Sequence, residues 1–254
     1  MYIDSQVVSN YEIDKEYGRV CLEAPEIAAS ALPGQFVMMK YWQGLTPFFM
    51  RPFSINSTDN KNGTIEILYK VVGEGTAILK KLQKADKVQI LGPLGNSFPL
   101  KENFKRIAII GRGVGAAPMR FLAEYARKKN VEAHVFISAA RPEFLFDTTY
   151  FQTIECQFTG SCDDRRLVTS YFEEELTHTH FDAAYVCGSK RLIGDVKRLM
   201  DQYGFEGYAS LEAHMACGVG ACKGCTIVIN EEGTERFARV CKEGPIFPVR
   251  NLVY

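Results

Sequence analysis

Four cysteines near the C-terminus have the types and spacing to hold a redox metal centre. They are Cys217, Cys222, Cys225 and, after fifteen intervening residues, Cys241. The pattern C-x4-C-x2-C with a distant fourth Cys is that of plant-type [2Fe–2S] ligation. Short spacings let one loop wrap a small core while a returning strand brings the last thiolate. Gly218, Gly220 and Gly224 lie between the ligands. Glycine reaches backbone angles closed to other residues, so amide N–H groups can turn toward the sulfurs. The competing readings are a structural zinc site or a chance cluster, but zinc favours two C-x2-C pairs and this segment has one.

Three further segments could hold phosphates or rings. Arg51-Pro52-Phe53-Ser54 places a forked cation beside a rigid Pro and a hydroxyl, a set suited to a pyrophosphate and a flavin-like ring. Its plain alternative is an ordinary strand start. Leu68-Tyr69-Lys70 leads to Gly73-Glu74-Gly75-Thr76 before a predicted helix, and free amides at a helix start form an anion site. The plain alternative there is a Thr cap. Gly111-Arg112-Gly113-Val114-Gly115, closed by Pro118, follows a buried strand and opens a helix, the setting of a nucleotide loop. Cys187-Gly188 ends a later strand at the same predicted sheet edge, or is a buried strand-end thiol. Gly92-Pro93-Leu94-Gly95-Asn96-Ser97-Phe98 closes the first region, with a plain turn as one reading.

These groups need elements to position them. Residues 17–24, 35–41, 64–72 and 88–91 read as short strands bounded by turns, with a helix over 76–82. Together they predict an antiparallel β-barrel. From residue 106 strands (107–110, 131–138, 183–186) alternate with helices (117–129, 167–176, 191–203), which predicts a parallel α/β sheet with helices on both faces. A cysteine-bearing subdomain follows. The expected domains are 1–100, 101–211 and 212–254. Hydrophobic residues make up 46% of 254, enough for a substantial core, and the net charge is +0. That charge gives no broad attraction to nucleic acid or to an anionic membrane. No run suits a transmembrane helix or a secretory signal, so a cytoplasmic location is expected. There the eight cysteines suit metal binding or free thiols rather than disulfides. Cys21 and Cys156 read as packing residues and Cys162 as part of a polar loop. His134 reads as structural, and His178 and His180 as solvated. No acid–base pair or nucleophile is evident.

The order of these features over essentially the whole chain resembles the ferredoxin–NADP reductase superfamily. Within it, Met215 to Cys225 and Val240 to Phe247 are similar to the electron-transfer subunits of dihydroorotate dehydrogenase B. The resemblance implies FAD on Arg51, Pro52, Phe53, Ser54, Leu68, Tyr69, Lys70, Gly75 and Thr76. It implies [2Fe–2S] on Cys217, Cys222, Cys225 and Cys241. NAD is implied on Gly111, Gly113, Gly115, Pro118, Cys187 and Gly188. It also implies a flavin-containing catalytic partner that oxidises dihydroorotate in pyrimidine biosynthesis, in a heterotetramer. The chain departs from the family pattern in the nucleotide half. Arg112 stands for a Gly, Ser189 for a Pro, and the segment 160–166 differs. Arg112 either reaches a pyrophosphate or crowds the nucleotide. Arg141 follows the second α/β strand where an acid marks NAD, so NADH and NADPH both stay open. Two alternative functions are a paralogous electron-transfer subunit for another reductase or dehydrogenase, and a non-enzymatic zinc-stabilised or redox-sensing module.

Overall fold

The computed structural model describes residues 1–162 and 166–253. Residues 163–165, inside the divergent segment 160–166, lie outside the described residues. The first region holds β1 (Tyr2–Asp14), β2 (Tyr17–Glu23), α1 (Pro25–Ser30), β3 (Phe36–Lys40), β4 (Arg51–Ser54), β5 (Ser57–Asp59), β6 (Thr64–Lys70), α2 (Glu74–Lys81) and β7 (Lys87–Leu94). Its strands pair antiparallel in the order β4-β3-β7-β1-β2-β6-β5. β4 curls back beside β6, which closes the barrel-like wall. One helix was expected here and two occur. The Pro25 start of α1 follows a strand directly, so no polar turn flags it. Alternation fixes the faces. Val37 and Met39 of β3 enter the barrel core with Leu22, Ile65, Ile67 and Ile90. Phe36 and Met38 point the other way, into a core shared with Cys225 and Cys241.

The second region contains β8 (Arg106–Arg112), α3 (Ala117–Lys128), β9 (Glu132–Ser138), α4 (Thr148–Thr153), β10 (Gln157–Ser161), α5 (Val168–Leu176), β11 (Ala183–Cys187), α6 (Lys190–Tyr203) and β12 (Glu206–Ser210). The sheet order is β10-β9-β8-β11-β12, all parallel. Helices cover both faces, so β8 is apolar on both. Ile107 and Ile109 pack with Met119 and Leu122 of α3. Ala108 and Ile110 pack with Phe172 of α5 and Val196 of α6. Each fully buried side chain of this size contributes about 1.5–3 kcal/mol. Cys162 is half-buried against the α3-side core rather than free in a polar loop. His134 is buried, bonded to Glu132 at 2.7 Å and edge-on to Phe181. The side chains of His178 and His180 are 64% and 77% exposed, which leaves them solvated.

The C-terminal unit is a cysteine loop followed by the hairpin β13 (Thr226–Glu231) and β14 (Thr234–Arg239). The chain then returns as β15 (Ile246–Pro248), antiparallel to β12 at the edge of the large sheet. Charged contacts tie the barrel to the α/β layer. Arg19 of β2 meets Asp147 at 2.7 Å, and Arg120 of α3 meets Glu66 of β6 at 3.1 Å. The buried Asn56 side chain donates to the Ala117 carbonyl at 2.7 Å. These links hold the start of α3 against the barrel wall.

Candidate functional site

Arg51 is set by its neighbours. Its guanidinium donates to the Phe49 carbonyl at 2.5 Å and stands 5.7 Å from the Trp42 ring. The first turn of α2 approaches it so closely that a Cβ on Gly75 would lie 3.0 Å from Arg51 Nε. A fixed cation and the free amides of a helix start therefore face the same space, and both favour an anion. The Thr76 hydroxyl is engaged in capping. It accepts from the Val72 and Gly73 N–H groups at 2.9 and 3.2 Å and donates to the Gly73 carbonyl at 3.1 Å. The Tyr69 hydroxyl is turned away to Asn10, 3.0 Å distant.

A cavity of about 580 Å³ opens between the barrel and the sheet edge. Arg51, Pro52, Phe53, Ser54, Leu68, Tyr69, Lys70 and Thr76 line it on the barrel side. Gly75 lies under Arg51 instead. Val114 of the glycine loop, Ala117 and Pro118 also line it, whereas Gly111, Gly113, Gly115, Cys187 and Gly188 do not. Sequence reasoning missed a further wall, Ser210 to Met215, which includes Glu212 and His214. Ser210 pairs with Cys187 at the C-terminal ends of β12 and β11. That edge is where α/β sheets bind ligands, and this was the available signal.

The glycine loop and Cys187-Gly188 meet at that edge. Cys187 pairs with Gly111 across β11 and β8. A Cβ on Gly115 would lie 2.5 Å from the Cys187 carbonyl oxygen, and one on Gly188 would lie 3.4 Å from Arg112 Cβ. Gly188 has φ +152 and Gly113 φ +56. Ser189 caps α6, accepting from the Leu192 N–H at 3.3 Å, which accounts for a hydroxyl there. Burial first, then Glu212, pushes the Cys187 thiol up to about 12, with partial offset from Ser210. Cys187 is thus a neutral, buried thiol. Gly115→Ala is expected to cost about 1–3 kcal/mol by overpacking. Gly194→Ala, where a Cβ meets nothing within 4 Å in mid-α6, is expected to gain about 1 kcal/mol. Thermal unfolding of both variants measures this contrast.

The four predicted ligand cysteines form two neighbouring pairs. Cys225 and Cys241 Sγ lie 3.2 Å apart, well beyond a disulfide bond length. Each of the four sulfurs accepts a backbone N–H. Gly220 donates to Cys241 at 3.1 Å, and Cys222 to Cys217 at 3.4 Å. Gly224 donates to Cys222 and Cys241 to Cys225, both at 3.4 Å. Gly218 and Gly220 have the expected left-handed φ, +69 and +83. Gly224 does not; Lys223, at φ +60, makes that bend. Burial raises the Cys217 thiol, but N–H groups of Cys222, Val219 and Ala221 together with the Cys222 thiol bring it to about 6. Burial and then the adjacent Cys225 raise Cys241 to about 12. No group of three or more Cys, His, Asp or Glu among the described residues converges as a single-ion site. A two-iron core asks instead for two pairs of thiolates with N–H donors around them, and the residues present fit it.

The loop is fastened on both sides. A Cβ on Gly218 would lie 2.5 Å from Met38 Cγ, so the loop rests on the barrel. Arg239 of β14 donates to the Gly220 carbonyl at 3.0 Å. Asn96 receives the chain after Cys241, donating to the Glu243 and Ile246 carbonyls at 3.0 and 2.8 Å. Gly92–Leu94, expected as a turn, are the end of β7; Gly95, where a Cβ would lie 2.5 Å from Pro245 Cδ, and Asn96 just beyond it form a dock for the cluster segment. A second cavity, of about 850 Å³, lies between Ser57 and Asp59 of the barrel and Arg120 and Lys128 of α3. It contains none of the sequence-predicted site residues.

Residues 212–253 match the iron–sulfur cluster binding domain of dihydroorotate dehydrogenase B, and residues 5–98 an oxidoreductase FAD-binding domain. The chain is 31% identical over 256 aligned positions to the dihydroorotate dehydrogenase B (NAD(+)) electron transfer subunit of Desulforamulus reducens, covering 99% of this chain and 98% of the relative. It is 35% identical over 222 positions to that of Clostridium acetobutylicum, covering 87% and 86%. Among solved structures, an NADH-dependent reduced ferredoxin-NADP oxidoreductase superposes with TM-score 0.85 at 22% identity, over 97% of this chain and 88% of the other. A ferredoxin NADP+ reductase from Neisseria gonorrhoeae gives 0.66 at 16% identity, over 80% and 92%. At these identities the structural matches establish the fold.

Proposed function

The chain belongs to the family of dihydroorotate dehydrogenase B electron transfer subunits, and from that membership we propose how its residues divide the work. It is the electron-transfer subunit of a multisubunit oxidoreductase of pyrimidine biosynthesis. It passes electrons between a catalytic partner subunit and NAD through a [2Fe–2S] cluster and FAD. A flavin suits this place because it exchanges electrons singly with a cluster and in pairs, as hydride, with a nicotinamide.

In our reading, residues 1–100 form the flavin domain, 101–211 the nucleotide domain and 212–254 the cluster unit. The change from antiparallel to parallel pairing between β7 and β8 supports the first boundary. Arg51 and the α2 start hold the flavin pyrophosphate, and Ser54, Leu68 and Lys70 wall its ring. Gly115 lets the nucleotide edge approach Cys187 closely. Gly111, Gly113, Pro118 and Gly188 shape that edge. Cys217, Cys222, Cys225 and Cys241 hold the cluster, with Met38 between its loop and the barrel wall.

We place a dihydroorotate-oxidising, flavin-bearing partner against the cluster face, in a heterotetramer. Val228 and Phe237, a cross-strand pair on β13 and β14, are 40% and 77% exposed there and support such a surface. No helix among the described residues is long and apolar enough to cross a membrane. We assign the subunit to the cytoplasm, a reading supported by its eight unbridged cysteines.

The observation that carries the reading is the single cavity shared by Arg51–Ser54, the glycine loop and the strand leading to the cluster loop. The purified protein is expected to show flavin bands with cluster shoulders, and anaerobic NADH to bleach the flavin band. A colourless protein would overturn the electron-transfer assignment. A coloured protein bleached by neither NADH nor NADPH would overturn only the nicotinamide part.

A further inference from the structure

Arg141 stands three residues beyond the end of β9, on the edge that carries the glycine loop. Ser138, the last residue of β9, pairs with Arg112 at the end of β8. The Ser138 hydroxyl is buried there without a hydrogen-bond partner. Arg141 lies 4.2 Å from the Phe144 ring, and that ring packs on Tyr17 at 4.5 Å. The Tyr17 hydroxyl in turn would lie 3.9 Å from a Cβ on Gly113 of the loop. Two ring contacts thus link Arg141 to the glycine loop, at the strand-end position where a dinucleotide fold reads the adenosine ribose.

A bare arginine at such a place would favour a 2′-phosphate. This arginine is surrounded by acids. Glu16 lies 3.2 Å from Arg141 Nη2, Asp14 3.6 Å from the same nitrogen, and Glu143 3.4 Å from Nε. Two of the three come from the β1–β2 turn of the barrel. Lys70 also contacts Glu16, at 3.5 Å. Among these five groups three carboxylates face two cations, a net charge of −1.

We propose that Asp14, Glu16 and Glu143 make this subunit select NADH over NADPH by masking Arg141. A 2′-phosphate carries nearly two negative charges and would have to enter a field that is already negative. A ribose 2′-hydroxyl is neutral and can donate to a carboxylate. The acid that sequence reading seeks at the end of the second strand is supplied in space, mainly by the barrel. The proposal rests on the nicotinamide reading above and deepens it.

The test uses the FAD-loaded, cluster-loaded subunit and the variants Glu16→Gln, Glu143→Gln and Glu16→Gln/Glu143→Gln. Flavin content is checked first by absorbance, because Glu16 also contacts Lys70. Anaerobic bleaching rates with NADPH and NADH give their ratio, and calorimetric titration with 2′,5′-ADP and 5′-AMP gives affinity without turnover. Removing one facing carboxylate is expected to raise the NADPH/NADH ratio and the relative affinity for 2′,5′-ADP about tenfold. Added salt should shrink the gain. Arg141→Ala in the Glu16→Gln background should erase it. Unchanged ratios and affinities in all three acid variants, with NADH still bleaching the flavin, overturn the masking proposal. A gain that survives loss of Arg141 overturns it as well. A parent protein bleached by neither nucleotide instead overturns the nicotinamide reading beneath it.

Discussion

Cys222→Ser is expected to strip the cluster from the chain, with iron and acid-labile sulfide falling well below the two of each that a [2Fe–2S] core contains. A hydroxyl is a harder, poorer ligand for iron than a thiolate. Cys222 is the exposed member of the set, so no buried packing compensates for a weak bond. Its sulfur also accepts the Gly224 N–H, so the change alters a hydrogen bond of the loop as well as the ligand itself. The flavin should remain, because Arg51, Lys70 and the start of α2 lie on other segments. Metal and sulfide analysis with a visible spectrum decides the matter. Full iron and sulfide in Cys222→Ser would refute the ligand assignment.

Arg51→Ala is expected to weaken flavin binding roughly ten- to hundredfold, the equivalent of one charge-assisted contact of about 1.5–3 kcal/mol. The magnitude sits in the upper part of that range because Arg51 is already oriented by the Phe49 carbonyl and the Trp42 ring. Little side-chain entropy remains to be lost on binding. Arg51→Lys should recover only part of the affinity, since an ammonium lacks the planar fork. Flavin retained after dilution and gel filtration, set against total protein, measures both. Full flavin retention in Arg51→Ala would remove Arg51 from the pyrophosphate site.

Much of this was legible in the chain itself. Cysteine spacing along one loop is a covalent property, so Cys217, Cys222 and Cys225 could be read directly as candidate ligands. Strand and helix periods told the barrel from the α/β layer, because burial on one face or two leaves a pattern in each segment. Fine backbone choices were harder. Gly224 was expected to take the left-handed bend that Lys223 takes, and of the two readings of Thr76, anion contact and helix cap, its hydroxyl makes the cap. Both outcomes depend on a few tenths of an ångström in local hydrogen bonding, which residue type alone does not set.

The sequence by itself determined the spacing of the four candidate ligand cysteines and the alternation of elements, because each is a property of neighbours along the chain. Tertiary structure decided which distant segments share a space. It brought Ser210 to Met215 into the wall of the cavity that Arg51 lines, and it made Gly95 and Asn96, just past the end of β7, a dock for the chain after Cys241. It also gave Arg141 its acids, two of them from a turn more than a hundred residues away. Such convergence is set by strand register and by the packing of one layer on another. A one-residue slip in β2 or β9 would leave every local motif intact and separate Glu16 from Arg141.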